Sequence, residues 1–403
     1  MIVVMLLNNV SKSLSVEVTR FLQRMLGRFS HGSKQAFSKA RYKLKAEAFV
    51  DLNDTFIRAY YESGAYQLYK DKYLVLATDG SDYELPWEEE LRLEFGVADN
   101  GGKKPMCMAK GVKIWDVLNQ ITVASLLDRY EKSEIRIFDI LWQKTLQLLE
   151  GVQKHPVLLL GDMHYPSFPL MLDLIEGQTH FLFRCSHNFC REVVAFLKSE
   201  KQDAVLCIPL AGDADRTRKL RYVHKRKQIP SHLNVRALRI SLSPTEQYCL
   251  LTSLPAQEVD MLSIRALYPL RWSEEVSFNF DKNRTEIENF SAKLPQGIRQ
   301  EYYANTLYSN FVQLIVDDAQ EILNEEQEQK QNKYNYRINR SVAAGLIKDE
   351  IPKMLFGKES PDAFYKRMLN LILKHRQPHR PGRSFPRIRK HRLRFSMNLR
   401  RPF

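Results

Sequence analysis

Apolar positions recur at three- and four-residue spacing through VEVTRFLQRML and KQAFSKARYKLKAEAFVDL, which predicts helices within residues 1–65. The segment SHGSKQAF between them supplies Ser and Gly for a turn and a helix cap. From residue 71 the texture changes. KYLVLATDG and HPVLLLGD are short, bare apolar runs that end in Asp, the pattern of strands buried on both faces of a sheet. Between them, CMAKGVKIWDVLN and ITVASLLD predict two more strands, and EIRIFDILWQKTLQLLEGV predicts a helix over 133–152. A helix over 168–176, the strand HFLFR and a helix over 188–199 continue the alternation. This order predicts an α/β fold, a mixed sheet with helices on both faces. The short runs VLCIPL, VRALRISL and QYCLLTSL predict an all-β insertion at about 204–255. Beyond 259 the pattern is helical to about 325, then polar and acidic, then helical again over 341–374. The expected division is a helical region 1–65, an α/β domain 66–325, and a helical and basic region 326–403.

Charge changes this picture at one end. The chain of 403 residues has a net charge of +14, and residues 375–403 hold ten Lys/Arg and no acid. A mildly basic body with a strongly basic tail points to a polyanionic partner, most simply nucleic acid. Lys34, Lys39, Arg41, Lys43 and Lys45 also mark the second predicted helix as a candidate DNA-binding element, or else as a solvated face. The tail, with Pro378, Pro381 and Pro386, reads as an extended phosphate-binding arm. Five cysteines without a CxxC pair suit a reducing compartment. The apolar opening MIVVMLLNNV is too short to span a bilayer. No membrane association is therefore expected, and the expected location is cytoplasmic.

Candidate chemistry sits at the two strand ends and in one later block. Asp79 and Asp162 each follow a buried strand, where side chains of α/β folds converge on a crevice. In YPLRWSEEVSFNFDK, residues 268–282, a helix of about 100° per residue places Arg271, Glu275, Phe278 and Lys282 on one narrow stripe. Taken alone, that stripe is either an ion-pair ladder on the helix surface or a set of charges gathered around a metal or a bound anion.

Tyr268, Arg271, Glu275 and Lys282 stand at the Tyr-(2)-Arg-(3)-Glu-(6)-Lys spacing of the IS-four family of DDE-class insertion-sequence transposases, and the chain resembles that family. The strand ending in Asp79, the strand ending in Asp162 and the β-rich stretch before the helical Glu fit the same pattern. The resemblance implies an RNase H-like mixed sheet and a metal-dependent DNA transposase of the cut-and-paste kind. It implies that Asp79, Asp162 and Glu275 are catalytic and hold two Mg²⁺ ions, with Mn²⁺ as a substitute. Tyr268, Arg271 and Lys282 are implied to contact DNA phosphate. The implied partners are double-stranded DNA, namely the terminal inverted repeats and the target, with a dimer forming on the DNA. Where the family often has Arg-Gly-Tyr after the second Asp, this chain has Met163, His164 and Tyr165, which makes His164 a candidate phosphate contact or a plain structural residue. None of the four Trp residues lies in 163–267, so any base stacking from the β-rich stretch falls to Tyr222 or Tyr248. Glu274 adjoins Glu275 but lacks the signature spacing.

Two other functions compete: a non-catalytic DNA-binding protein derived from a transposase, and a nuclease on the same fold. A zinc site from Cys185, His187, Cys190 and Cys207 is the rival chemistry, although its spacing fits no common zinc motif.

Overall fold

The computed structural model describes residues 1–8, 13–26, 31–99, 105–211, 213–218, 220–221, 228–241, 247–330 and 334–379. Strands β1 (Leu74–Glu84), β2 (Val97–Ala98), β3 (Met106–Asp116), β4 (Ile121–Arg129), β5 (Val157–Gly161), β6 (His180–Cys185), β7 (Asp203–Pro209), β8 (His232–Ser241) and β9 (Gln247–Thr252) form one nine-stranded sheet. Its order is β2-β3-β1-β5-β6-β9-β8-β7, with β4 paired to β3. β1, β3 and β4 are antiparallel, whereas β1, β5 and β6 run parallel. This is the mixed sheet with helices on both faces that the sequence predicts, and it is consistent with the RNase H-like arrangement that the resemblance implies. β1 and β5 are bare apolar runs because both of their faces are covered. Leu74, Leu76 and Leu159 join one buried cluster, while Val75, Ala77, Leu158 and Leu160 join another.

Helices α1 (Ile2–Leu7), α2 (Leu14–Leu26), α3 (Lys34–Arg41) and α4 (Glu47–Glu62) precede the sheet. Ser33 caps α3 by accepting from the Ala36 N–H at 3.1 Å, the capping expected of the Ser/Gly segment. α5 (Glu89–Phe95), α6 (Glu134–Leu149), α7 (Phe168–Glu176) and α8 (Arg191–Lys198) lie between strands. Phe138, Leu141 and Trp142 of α6 and Leu170 and Met171 of α7 fill the cluster on one sheet face. On the other face lie α10 (Met261–Leu267), a 3₁₀ turn (Tyr268–Trp272) and α11 (Ser273–Asn283).

The β-rich 204–255 stretch supplies β7, β8 and β9 and also a short helix, α9 (Ala214–Arg218). Its strands do not fold apart from the sheet but lengthen it. β6 is apolar on both faces, and its free edge takes up β9 in antiparallel register from Leu182↔Thr252 to Cys185↔Cys249. The helical stretch expected to about 325 is completed by α12 (Pro295–Glu328), whose last turns take in the start of the polar, acidic run. The last helical stretch is two helices, α13 (Arg340–Phe356) and α14 (Pro361–Leu373), flanked by a small pair of strands, β10 (Asn335–Ile338) and β11 (Arg376–His379). These pack with α1–α3 on α12 around one apolar cluster. Tail residues 380–403 and Tyr222 lie outside the described residues. Among the described residues no helix is long and apolar enough to cross a membrane.

Candidate active site

Asp79 sits where two parallel strands part company. β1 pairs with β5 only from Leu74↔Val157 to Ala77↔Leu160, and then continues along β3 as far as Glu84↔Met108. Asp79 therefore lies within a strand that outruns its parallel neighbour, whereas Asp162 directly follows the end of β5. Alternation along the strands puts Asp79 on the same face as Val75 and Ala77, toward α10, the 3₁₀ turn and α11. Asp79 accepts from the Gly80 N–H at 2.9 Å. Burial, with the charge of Glu134 next, pushes its carboxyl up to about 6.

Asp162 accepts from the His164 N–H at 2.8 Å and lies 3.1 Å from His164 Nδ1. The imidazole is 72% exposed, so His164 is free to meet a ligand in front of Asp162. Tyr165 turns the other way. It is fully buried and donates to Glu134 Oε1 at 2.5 Å, with Thr78 Oγ1 3.2 Å from its hydroxyl. The Glu134 carboxyl packs under Gly80, where a Cβ would stand only 2.6 Å from its Cδ, so a side chain there would push the Glu134 carboxyl aside.

The signature block sits over this edge. Arg271, 6% exposed, places Nη1 3.5 Å from Asp79 Oδ2 and Nη2 3.3 Å from Glu275 Oε1. The carboxylate of Glu275 is 49% exposed, and Nε of Arg271 is buried without a partner. Tyr268 donates to the Gly161 carbonyl at 3.4 Å, and burial pushes its hydroxyl up to about 12. Lys282 lies further off, donating to the Asp82 carbonyl at 2.5 Å and resting over the Tyr83 ring. The structure thus gathers Asp79, Asp162, Arg271, Glu275 and Tyr268 at one edge, with Lys282 two turns along α11.

The sequence reading missed a second stripe on the same helix. Glu274, Ser277 and Asp281 are all buried and face β3, where Lys113 meets Asp281 Oδ2 in a short ion pair and Ser277 Oγ at 3.3 Å. Glu274 is fully buried, and neither carboxylate oxygen has a complete hydrogen bond, although the Asp79 backbone N–H faces it. Burial, with Asp79 next, holds its carboxyl well above the usual range. Periodicity alone gives both stripes equal standing, so only the i, i+3, i+7 run of polar residues could have pointed to this one.

Hard divalent cations prefer carboxylate oxygens. The donors here are of that kind, and two of them already share one cationic group, Arg271. Among the described residues no group of three His, Cys, Asp or Glu closes on one metal position. The same holds for the zinc candidates, of which Cys185 and Cys190 are buried and Cys207 is exposed. The donor chemistry is that of a hard divalent cation, and Arg271 bridges Asp79 and Glu275.

Residues 141–311 match the protein-family model described as Transposase DDE domain. That stretch begins within α6, contains Asp162, Tyr268, Arg271, Glu275 and Lys282, and ends within α12, while Asp79 precedes it. The match supports a DDE transposase. No curated protein matches the chain. The cryo-EM structure of a piggyBac transposase synaptic complex with hairpin DNA is similar at 11% identity and a TM-score of 0.39, over 77% of this chain and 59% of that one.

Proposed function

We propose that the protein is a cut-and-paste DNA transposase of the IS-four kind, with Asp79, Asp162 and Glu275 as its catalytic carboxylates. The observation that carries this reading is the convergence of Asp79 and Glu275 on Arg271, beside Asp162, where β1 and β5 diverge. In the cutting step water attacks phosphorus at the element end, and the 3′ oxygen leaves and takes up a proton. In the joining step that 3′-hydroxyl attacks a target phosphodiester and displaces the target's own 3′ oxygen.

Asp79, Asp162 and Glu275 would hold the divalent ions, which activate the attacking oxygen and stabilise the leaving one. Arg271 is the phosphate contact with the strongest local support. Its buried Nε has no partner, and a bound phosphate would give it one. Lys282, whose ammonium has donors beyond the one on the Asp82 carbonyl, and Tyr268, whose single hydroxyl donor must first leave the Gly161 carbonyl, are the further phosphate contacts. The partners are the inverted repeats of the element and target DNA, engaged as a dimer, in the cytoplasm at the nucleoid. The test is nicking of DNA that carries the inverted repeats flanking the gene. Mg²⁺-dependent cleavage at the repeat ends supports the proposal, and binding without cleavage under any divalent ion refutes it.

A further inference from the structure

Lys113 is a charged residue in the middle of a buried strand, and the cutting chemistry does not use it. It stands directly opposite Asp79 in the β1–β3 register and is 1% exposed. Its ammonium reaches α11 three ways: to Asp281 Oδ2, to Ser277 Oγ at 3.3 Å, and over the Phe278 ring at 4.8 Å. It also lies close enough to the buried Glu274 carboxyl to oppose, in part, the effect of burial there. Asp281 is in turn tied to α12, accepting from Asn305 Nδ2 at 3.1 Å and Ser309 Oγ at 3.3 Å. One strand and one long helix therefore grip the same side of α11, and a neighbouring face, about 100° round the helix, carries Glu275 and Lys282, with Arg271 in the 3₁₀ turn just before it.

We propose that Lys113 is a positioning residue that fixes the roll of α11 about its axis and so aims Glu275 at Asp79. This rests on the reading of Asp79, Asp162 and Glu275 as the cutting site. The geometry explains why the clamp lies level with Asp79. Side-chain ends stand about 5–6 Å from a helix axis, so a roll of about 20° carries a carboxylate about 2 Å. Misplacement by about 1 Å costs about 100-fold in rate. A buried charge on a strand is costly, and an apolar residue there would pack at least as well. What an apolar residue lacks is a directional grip on Ser277 and Asp281.

The experiment pairs two readouts on the full chain. Spin labels at Val276 on the exposed side of α11 and at Ile140 on the exposed side of α6, in a Cys207→Ser background, report the roll as a distance distribution. End cleavage at saturating DNA, alongside the affinity for the same DNA, reports the consequence. For Lys113→Met the distribution should shift or broaden, cleavage should fall about 100-fold, and affinity should stay within about threefold. Lys113→Arg should restore both readouts in large part. Asp281→Asn loosens the same clamp from the helix side and reads the same way if Lys113→Met does not fold. Wild-type distances and cleavage rates in these variants would overturn the proposal. If the wild-type protein cuts no DNA, the functional reading fails on its own, and the label distances still decide the role of Lys113.

Discussion

Arg271 Nη1 lies 3.5 Å from Asp79 Oδ2 while Nη2 of the same guanidinium lies 3.3 Å from Glu275 Oε1. One cation thus links the strand acid to the helix acid. A surface ladder between Arg271 and Glu275 would be worth only a few tenths of a kcal/mol. In the proposed role at a reacting phosphate, a buried guanidinium between two carboxylates does more. Arg271→Ala should lower end cleavage by two to three orders of magnitude, the cost of removing a donor aimed at developing charge, about 3–4 kcal/mol. Thermal unfolding of the same variant shows whether the fold survives. Near-normal cleavage would return Arg271 to the ladder reading.

Asp79 gives a pH signature. Its carboxyl is raised to about 6, so between its ordinary range and pH 6 the folded state holds more proton than the unfolded one. Stability from this group is therefore present at low pH and lost as pH rises from about 4 to about 6, by up to about 3 kcal/mol. Asp79→Asn removes the titration. Urea unfolding without divalent metal at pH 4, 5, 6 and 7 should show the variant gaining on wild type as pH rises, then levelling above 6. A constant difference across that range would contradict the burial argument.

Glu274 and Glu275 should behave oppositely. Glu275→Gln should abolish cleavage and barely change stability, because its carboxylate is half exposed. Glu274→Gln should keep much of the cleavage and be no less stable than wild type, because burial already holds this carboxyl in its neutral form and glutamine is its near-isosteric neutral counterpart. Cleavage rates and unfolding midpoints on both variants decide. If Glu274→Gln is dead while Glu275→Gln still cuts, the helical acid has been assigned one residue out of register.

The strands that carry Asp79 and Asp162 were legible because each is an unbroken apolar run, and α6 because its apolar face repeats at helical spacing. Partnership across long separations was not legible. Nothing in CMAKGVKIWD distinguishes Lys113, buried on Asp281 168 residues later, from a solvent-facing strand lysine. Arg41 reads as one of a row of basic residues on α3. Yet it is 1% exposed and bound to Gln300, Ser291, Glu301 and the Gly297 carbonyl, and it fastens α3 to the start of α12. Lys34, Lys39, Lys43 and Lys45 remain exposed and keep the surface reading. The free edge of β6 was equally invisible, because a strand's sequence does not name the strand that will cover it.

Truncation should begin after β11, since Arg376–His379 pairs with β10. Deleting 380–403 removes nine Lys/Arg and should weaken binding to any DNA, with a shallower dependence of affinity on salt. Affinities measured across a salt series on repeat and unrelated DNA test this. An unchanged slope would exclude the tail as a phosphate-binding arm.

The most direct test of the central claim is Mg²⁺-dependent strand cleavage at the inverted-repeat ends by wild type, Asp79→Asn, Asp162→Asn and Glu275→Gln at matched DNA occupancy. The account predicts cleavage by wild type that chelator abolishes, none by any of the three variants, and DNA-end affinity close to wild type in all of them. Cleavage retained in any of the three, with the fold intact, would contradict it.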